Sequence, residues 1–337
     1  MISQRPYWIL TLVVLLAIDN CCGVVVSDTE WNNYKLKFGK TYANAVAENN
    51  ARFYYAYNVN WMSTHNSQYD RGLKTFKLRP NQFTDMRLIH FNAMFPVATA
   101  PTTTNASPPP NVNIVPPSYD PSINFGYTIH AEDQGLKCNS GWSYSAVKAI
   151  EILNAIQTGN TVPSPLSAQQ LIDCAGRTTA CTKQVPQTVF DYLKMYDMPL
   201  LLESEYKNNN SQSEAGMCLV RGNVGVRVSQ YSMLTADDDE ALKKYVGSGF
   251  PVIVEINPTS FEFMHYSEGI YEPPVTGTRG SHFMTVIGYG TDKASGLDYW
   301  LLLNSFDTTW GERGFLRLRR SSTIKLAKNA IFPTVLG

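Results

Sequence analysis

The segment Asp133-Gln134-Gly135-Leu136-Lys137-Cys138-Asn139-Ser140-Gly141-Trp142-Ser143-Tyr144-Ser145 decides how the fold of this 337-residue chain is interpreted. From Trp142 onward, apolar residues recur at helical spacing as far as Ile156, which predicts a buried helix over 142–158 that ends near Gly159. Gly141 stands directly before that helix. Because glycine has no side chain, this residue cannot act as a nucleophile or form a covalent intermediate.

Helical and extended patterns occupy different halves of the remaining chain. Shorter helices are predicted at 167–174 and 185–196. Beyond residue 224, apolar runs bounded by Gly and Asp predict one helix at 238–246 and strands at 226–231, 251–256, 282–289, 299–303 and 314–319. A mainly helical half (119–223) followed by a mainly β half (224–337) predicts an α+β fold.

The first 23 residues predict a secretory signal peptide. Arg5 supplies a positive charge, and an apolar run follows over 8–18. The small residues Cys21, Cys22 and Gly23 then suggest a cleavage site near Gly23. A membrane anchor is the alternative, but about 11 apolar residues are too few for a bilayer that needs about 20. No later segment of the sequence is apolar enough to span, so we expect no membrane span.

The region between the signal peptide and the α+β domain has two parts. Residues 24–96 contain two helix-prone stretches and a short extended piece at 78–86, which taken alone suggest a small helical domain. Residues 97–118 are rich in Thr and Pro and predict an exposed linker. Asn105 in this linker and Asn209 further along are N-glycosylation acceptors if the chain is secreted.

Charge and cysteine content argue against several function classes. The chain has 28 basic and 28 acidic residues and a pI of about 6.9, so it lacks the excess of positive charge that is typical of proteins that bind nucleic acid. The cysteines after the signal peptide contain no C-x-x-C and no nearby His, so we predict neither a metal site nor a cofactor. In an oxidising compartment they predict two disulfides, with three possible pairings among Cys138, Cys174, Cys181 and Cys218.

Four segments resemble papain-like cysteine peptidases of the cathepsin L type. The segment 133–145 is similar to the one in which the family places its nucleophilic cysteine directly before the tryptophan. The segments 166–174, 280–290 and 299–312 are similar to the family's disulfide, histidine and asparagine segments. Within 24–96, the residues similar to the propeptide motifs are Asn58, Met62, Asn66, Asn81, Phe83 and Asp85.

This resemblance implies a papain-like two-domain fold. It has a helical left domain, an antiparallel β-barrel-like right domain and an N-terminal helical prosegment of the inhibitor type. The peptidase domain would then span 119–337, and the prosegment 24–96.

The resemblance also implies roles for individual residues. Gly141 occupies the position of the lost nucleophile, His282 that of the general base, and Asn304 that of the group that orients the imidazole. Gln134 matches the side-chain donor of the oxyanion hole. The implied disulfides are Cys138–Cys181 and Cys174–Cys218, and the implied substrate cleft is lined by Trp142, Ser281, Phe306 and Trp310.

Several positions depart from the family pattern. An extra residue lies between Gln134 and Trp142, so the Gln134 amide need not point at an oxyanion, where a well-placed donor contributes about 3 to 4 kcal/mol. Residues 182–184 replace a Gly-Gly pair that binds the substrate backbone. Phe306 replaces a tryptophan that shields the His–Asn hydrogen bond, and Arg79 replaces a glycine of the prosegment. The pattern predicts the loss of more than the nucleophile.

We therefore predict a catalytically inactive peptidase homologue that binds a peptide or protein in its cleft, such as a protease or an inhibitor. Two alternatives stay open at this point. Ser140 could serve as a substitute nucleophile with His282 and Asn304, although one step along a helix turns the side chain by about 100°. The chain could also be a storage or matrix protein. We expect a secreted or lysosomal monomer.

Overall fold

The computed structural model describes residues 26–98, 110–113, 115–207, 215–274, 278–321 and 323–336. The predicted signal peptide and both predicted glycosylation acceptors, Asn105 and Asn209, lie outside the described residues. The helices are α1 (Asp28–Lys37), α2 (Ala45–Asp70), α3 (Leu88–Ala93), α4 (Pro121–Phe125), α5 (Gly141–Thr158), α6 (Ala168–Gln170), α7 (Gln187–Met195), α8 (Asp239–Gly247) and α9 (Phe261–His265). The strands are β1 (Phe76–Leu78), β2 (Leu200–Leu201), β3 (Gly225–Val226), β4 (Val228–Met233), β5 (Val252–Ile256), β6 (Tyr266–Tyr271), β7 (His282–Thr291), β8 (Asp298–Leu303), β9 (Phe315–Arg319) and β10 (Ile331–Leu336).

Eight of these strands form one sheet in the order β1-β6-β9-β8-β7-β5-β10-β4. Neighbouring strands in the sheet run antiparallel, except that β6 and β9 run parallel. Strands β2 and β3 pair separately. The helical first half and the β second half of the predicted α+β domain are confirmed.

Helix α5 is the central element of the helical half. It begins at Gly141, and Gly159 ends it in the left-handed conformation (φ 72°), which glycine adopts without strain. Most of its length is buried, and this includes the charged Lys148, which forms ion pairs with Glu132 and with Glu151. These ion pairs tie the chain just before the segment 133–145 to the helix that follows it.

The described residues form two large hydrophobic cores. One contains Trp142 and Ile150 of α5, with Phe190 of α7 and Phe283 of β7. The other lies within the β half and includes Trp300. The start of α5 and the start of β7 therefore lie where the two halves meet.

The helical region 26–96 has a small core of its own that includes Trp31, Tyr34 and Tyr55, but it is also joined to the β half. Strand β1 pairs antiparallel with β6, with Phe76 opposite Gly269. Met62, Phe83 and Phe95 belong to the same core as the β half. The sequence did not predict this pairing, because a three-residue strand shows no clear pattern and its partner lies about 190 residues away.

The sequence patterns also missed the strands β2, β6 and β10 and the short helices α3, α4 and α9, and they misread one helix. Strand β6 contains Gly269 at a positive φ of 95°, and β10 contains Pro333, so neither has an uninterrupted alternating pattern. The helix predicted at 167–174 is α-helical only over α6. It continues as a π-helical turn (Leu171–Gly176) and a 3-10 turn (Arg177–Thr179).

Candidate active site

Strand register brings His282 and Asn304 together. His282 is the first residue of β7, and Asn304 follows the last residue of β8. The two strands pair antiparallel with Thr285 opposite Leu303, so the start of one lies beside the end of the other. Sequence positions 22 residues apart thereby become neighbours.

The His282 side chain is held in one tautomer. Its Nε2–H donates to Asn304 Oδ1 at 2.7 Å, and the same oxygen accepts the backbone N–H of Ser305 at 2.8 Å. Because this oxygen can only accept, Nε2 carries the proton and Nδ1 keeps a lone pair. Nδ1 is buried and has no hydrogen-bond partner in the part of the chain that the structure describes.

The surroundings of His282 disfavour its charged form. Burial lowers the pKa of the imidazole to about 4, and the hydrogen bond with Asn304 only partly opposes this. Phe306 stacks on the ring with centroids 4.8 Å apart, and Phe95 packs edge-on at 5.3 Å. A phenylalanine thus shields the His–Asn pair, and the imidazole is neutral above about pH 4.

Gly141 faces the unpaired nitrogen of His282. A Cβ atom built on Gly141 would lie 2.8 Å from both Nδ1 and Cε1 of His282, and 3.1 Å from Gln134 Oε1. The position keeps the orientation of a nucleophile toward a base. The space is tight, however, since any side chain at 141 requires the imidazole ring to move.

Gln134 turns its amide oxygen toward this position. Oε1 accepts from Ser305 Oγ at 2.7 Å, whereas Nε2 donates to the carbonyl oxygen of Cys138 at 3.4 Å. The atom of Gln134 nearest to a Cβ at 141 is therefore an acceptor. In this orientation the side chain cannot donate to a developing oxyanion.

The hydroxyl groups of Ser140 and Ser143, near Gly141, donate to backbone carbonyl oxygens and not to His282. Ser143 Oγ donates to the carbonyl oxygen of Ala168 at 2.9 Å, and Ser140 Oγ donates to that of Cys138 at 3.5 Å. Neither hydroxyl is hydrogen-bonded to His282.

The disulfides in the structure are Cys138–Cys181 and Cys174–Cys218, the pairing that the resemblance implied. Each lies in the helical half. The first holds the loop just before Gly141.

The end of the prosegment and the first residues of the linker cross the site, at residues 95–98. The backbone N–H of Ala98 donates to Ser281 Oγ at 2.8 Å. Phe306 is in ring contact with Phe83 and Phe95, at 5.1 and 5.9 Å. Of the four residues predicted to line the cleft, Ser281 and Phe306 therefore contact the prosegment directly.

The other two predicted cleft residues form the interior of the walls. Trp142 is buried in the helical half and donates from Nε1 to the carbonyl oxygen of Ala180 at 2.8 Å. Trp310 is buried behind Phe306 and donates from Nε1 to the carbonyl oxygen of Phe263 at 3.0 Å. Their main contacts stabilise the two halves.

Arg79 contributes to prosegment docking, although it departs from the family motif. Its guanidinium donates to the carbonyl oxygen of Gly311 at 2.8 Å. Gln82 Nε2 donates to the carbonyl oxygen of Phe306 at 2.7 Å, and Asn81 Nδ2 to that of Met264 at 2.8 Å. A motif that departs from the family pattern still forms a closely hydrogen-bonded interface.

Glu255 is a polar neighbour of the predicted cleft residue Ser281 that sequence reasoning missed. Its Oε1 accepts from Ser281 Oγ, and its Oε2 accepts from Asn329 Nδ2 at 2.9 Å. No motif marks a single glutamate in a predicted strand, and only the pairing of β5 with β7 places it near residue 281.

The described ranges contain no group of three or more His, Cys, Asp or Glu side chains able to hold a metal ion. A search of the same residues for a helix long and apolar enough to cross a bilayer also finds none.

Comparison with known proteins identifies the family. The family model described as "Papain family cysteine protease" matches residues 115–334. The chain belongs to the papain family of cysteine proteases. A second model, "Cathepsin propeptide inhibitor domain (I29)", matches residues 31–88 of this papain-family chain, which include most of the predicted prosegment.

Relatives of this papain-family protein are similar along nearly their whole length. The Cathepsin L-like proteinase of Fasciola hepatica is 31% identical over 303 residues, which cover 88% of this chain and 89% of the relative. Cathepsin L of Sarcophaga peregrina is 30% identical over 322 residues, which cover 91% of this chain and 92% of the relative.

Solved structures confirm the predicted papain-like fold with its N-terminal propeptide. Digestive procathepsin L 3 of the Tenebrio molitor larval midgut has a TM-score of 0.78 at 28% identity, covering 93% of this chain and 100% of its own. Digestive procathepsin L2 proteinase of the same species has a TM-score of 0.80 at 27% identity, covering 91% and 99%.

Proposed function

We propose that this papain-family chain is catalytically inactive and acts by binding a peptide or protein segment in the cleft between its two halves. One observation carries the proposal: His282 Nδ1, the atom that would take a proton from a nucleophile, faces the bare backbone of Gly141. With no thiol or hydroxyl at that position, an acyl intermediate cannot form there.

The oxyanion site supports the same proposal. Stabilising a tetrahedral intermediate requires donors aimed at the oxyanion, and the Gln134 side chain presents its oxygen instead. Restoring a nucleophile alone would therefore leave peptide hydrolysis slow.

The scaffold that a binding protein needs is intact. Each disulfide joins cysteines 43 or 44 positions apart and stabilises the fold by roughly 3 to 4 kcal/mol in the chain-entropy model. The side of the site formed by Ser281, His282 and Phe306 is called the β-half wall. The contact between Ala98 and Ser281 supports the idea that this wall can hold an extended backbone. A displaced or cleaved prosegment would leave this wall free for another chain.

The predicted signal peptide and the disulfides favour a secreted or lysosomal protein, because disulfides persist in oxidising compartments. Within that setting we propose a monomer with a peptidase-like domain over 119–337. Its partner would be a peptide, a protease or a protease inhibitor that occupies the cleft.

A hydrolase that uses Ser140 instead is disfavoured by the hydrogen bonds of the site. Ser140 Oγ donates to the carbonyl oxygen of Cys138. No hydroxyl group of the described residues donates a hydrogen bond to His282 Nδ1. A storage or matrix role differs in its response to mutation, since substitutions in the cleft would then leave function unchanged.

The test uses the full-length chain with a site-specific protease recognition sequence placed within residues 101–107. After cleavage at that site, we expect binding of labelled peptides and no turnover of fluorogenic peptide substrates between pH 4 and 7. Turnover that disappears in His282→Ala would contradict the proposal, and so would the absence of any peptide binding.

A further inference from the structure

We infer that the natural occupant of the cleft presents a cationic side chain, lysine or arginine, to Glu255. The inference rests on the proposed function and names the class of ligand: a peptide segment whose basic residue lies close to His282. It depends on the position of Glu255, on its present partners and on the composition of the prosegment.

Strand pairing directs Glu255 toward the helical half. Glu255 lies opposite Phe283 in the antiparallel pair of β5 and β7, and residues directly opposite each other point to the same face. Phe283 packs in the core of the helical half, and Ala98, which directly follows the end of the prosegment, packs against the same core. Glu255 is half-buried on this face, at the junction that the prosegment crosses.

The present partners of Glu255 are neutral. Ser281 Oγ donates to one carboxylate oxygen and Asn329 Nδ2 to the other. No lysine or arginine of the described ranges comes within 4 Å of this carboxylate. A half-buried carboxylate without a cation gains more from a charged donor than an exposed one does, because the effective dielectric constant is lower there.

The prosegment cannot supply that cation. Its backbone reaches Ser281 through Ala98, which carries only a methyl group. The sequence contains no lysine or arginine from residue 88 to residue 136, so the whole stretch on either side of Ala98 lacks basic residues. The charge of Glu255 is therefore left for another chain to neutralise.

This arrangement gives a basic ligand an advantage over the prosegment. Both can donate a backbone N–H to Ser281, but only a ligand with Lys or Arg can also form an ion pair with Glu255. The preference is electrostatic and must weaken as salt screens the pair.

The experiment measures peptide binding by fluorescence anisotropy with the full-length chain cleaved within residues 101–107. The probes are fluorescein-labelled alanine hexapeptides with one lysine at position 2, 3, 4 or 5, each matched by a peptide with uncharged norleucine in place of lysine. We expect at least one lysine peptide to bind at least 10-fold more tightly than its norleucine counterpart at low salt. The ratio should shrink in 0.5 M salt.

Glu255→Gln keeps the shape of the side chain and should bring the ratio to about 1. The matched control is Glu272→Gln, which removes an exposed carboxylate of the β half and should leave the ratio unchanged. Equal affinities for lysine and norleucine peptides at every position would overturn the inference, as would a preference that survives Glu255→Gln. In both cases the peptides still bind, so the proposed function stands. If none of the peptides binds, the proposed function fails and the inference fails with it.

Discussion

The two walls of the cleft differ in what they retain. On the β-half wall, His282 and Asn304 keep a 2.7 Å hydrogen bond beneath a stacked Phe306. On the helical wall, position 141 has no side chain, and Gln134 binds the protein around it rather than an oxyanion position.

The difference separates side chains that stabilise the fold from a position where a side chain would add little to its stability. His282, Asn304 and Phe306 fill a buried volume and contact one another through a hydrogen bond and a stacked ring, so losing any of them would cost folding free energy. A side chain at 141 would touch mainly the His282 ring and the Gln134 amide. The absence of a side chain at 141 leaves His282 Nδ1 without a hydrogen-bond partner and removes few other contacts.

Restoring the missing group is the strongest test of this comparison. After prosegment cleavage, Gly141→Cys should be labelled by a thiol-directed epoxide probe, whereas the unmodified protein should give no adduct at this position. The thiol would face His282 Nδ1, provided the ring shifts from the 2.8 Å approach. Peptide turnover should remain about 100- to 1,000-fold below that of a site with a working oxyanion donor.

Two variants control this experiment. Gly141→Ala adds the same Cβ without a thiol and should give no adduct. In the double variant with His282→Ala, labelling should be slower, because no imidazole remains to take the proton. Labelling at the same rate with and without His282 would contradict the preserved geometry of the β-half wall.

Removing the aromatic shield should destabilise the β-half wall. Phe306 is 1% exposed and contacts His282, Phe95 and Trp310. We expect Phe306→Ala to lower the free energy of unfolding by about 3 to 5 kcal/mol, measured by chemical denaturation. Phe306→Leu should cost less because it keeps most of the apolar volume. A loss below about 1 kcal/mol in Phe306→Ala would mean that the stacked ring does not support this wall.

The buried imidazole should make stability fall in acid. Its folded pKa of about 4 lies below the unfolded value near 6.5, so the unfolded chain binds more protons between these pH values. Stability is therefore fully present above about pH 6.5 and is lost as the pH falls toward 4, by up to about 3 kcal/mol for this group.

The measurement is the free energy of unfolding from pH 7 to pH 4 for the unmodified protein and for His282→Gln. The difference between the two should change with pH in this interval. His90→Asn, which replaces an exposed histidine of the prosegment, is the control and should follow the unmodified protein. Parallel profiles for His282→Gln and the unmodified protein would exclude a buried neutral imidazole.

The smallest expected effect concerns the helical wall. Ser143→Ala removes one buried hydrogen bond to Ala168 and should lower the free energy of unfolding by about 1 kcal/mol. Labelling of Gly141→Cys should be unaffected when this substitution is added. A complete loss of labelling would show that Ser143 acts in the site, against the direction of its hydroxyl.

The strong patterns of the sequence predicted most of the fold. The apolar spacing after Trp142 predicted α5 almost to the residue, and the apolar runs bounded by Gly and Asp predicted β5, β7, β8 and β9. The patterns did not predict β1, β6 or β10, whose stability comes from partners distant in the sequence. Local preference is weak in short strands, so the pairing itself decides whether they form.

For the site, the sequence by itself determined which chemical groups are present: an imidazole at 282, an amide at 304 and no side chain at 141. These are matters of covalent identity and need no fold. Only the tertiary structure decided where those groups point. Packing and strand register leave His282 Nδ1 unpaired against Gly141, turn the oxygen of Gln134 toward it, and bring Glu255 beside Ser281. Such orientations depend on contacts between residues on different elements, from 26 positions apart for Glu255 and Ser281 to 171 for Gln134 and Ser305, which local sequence patterns do not encode.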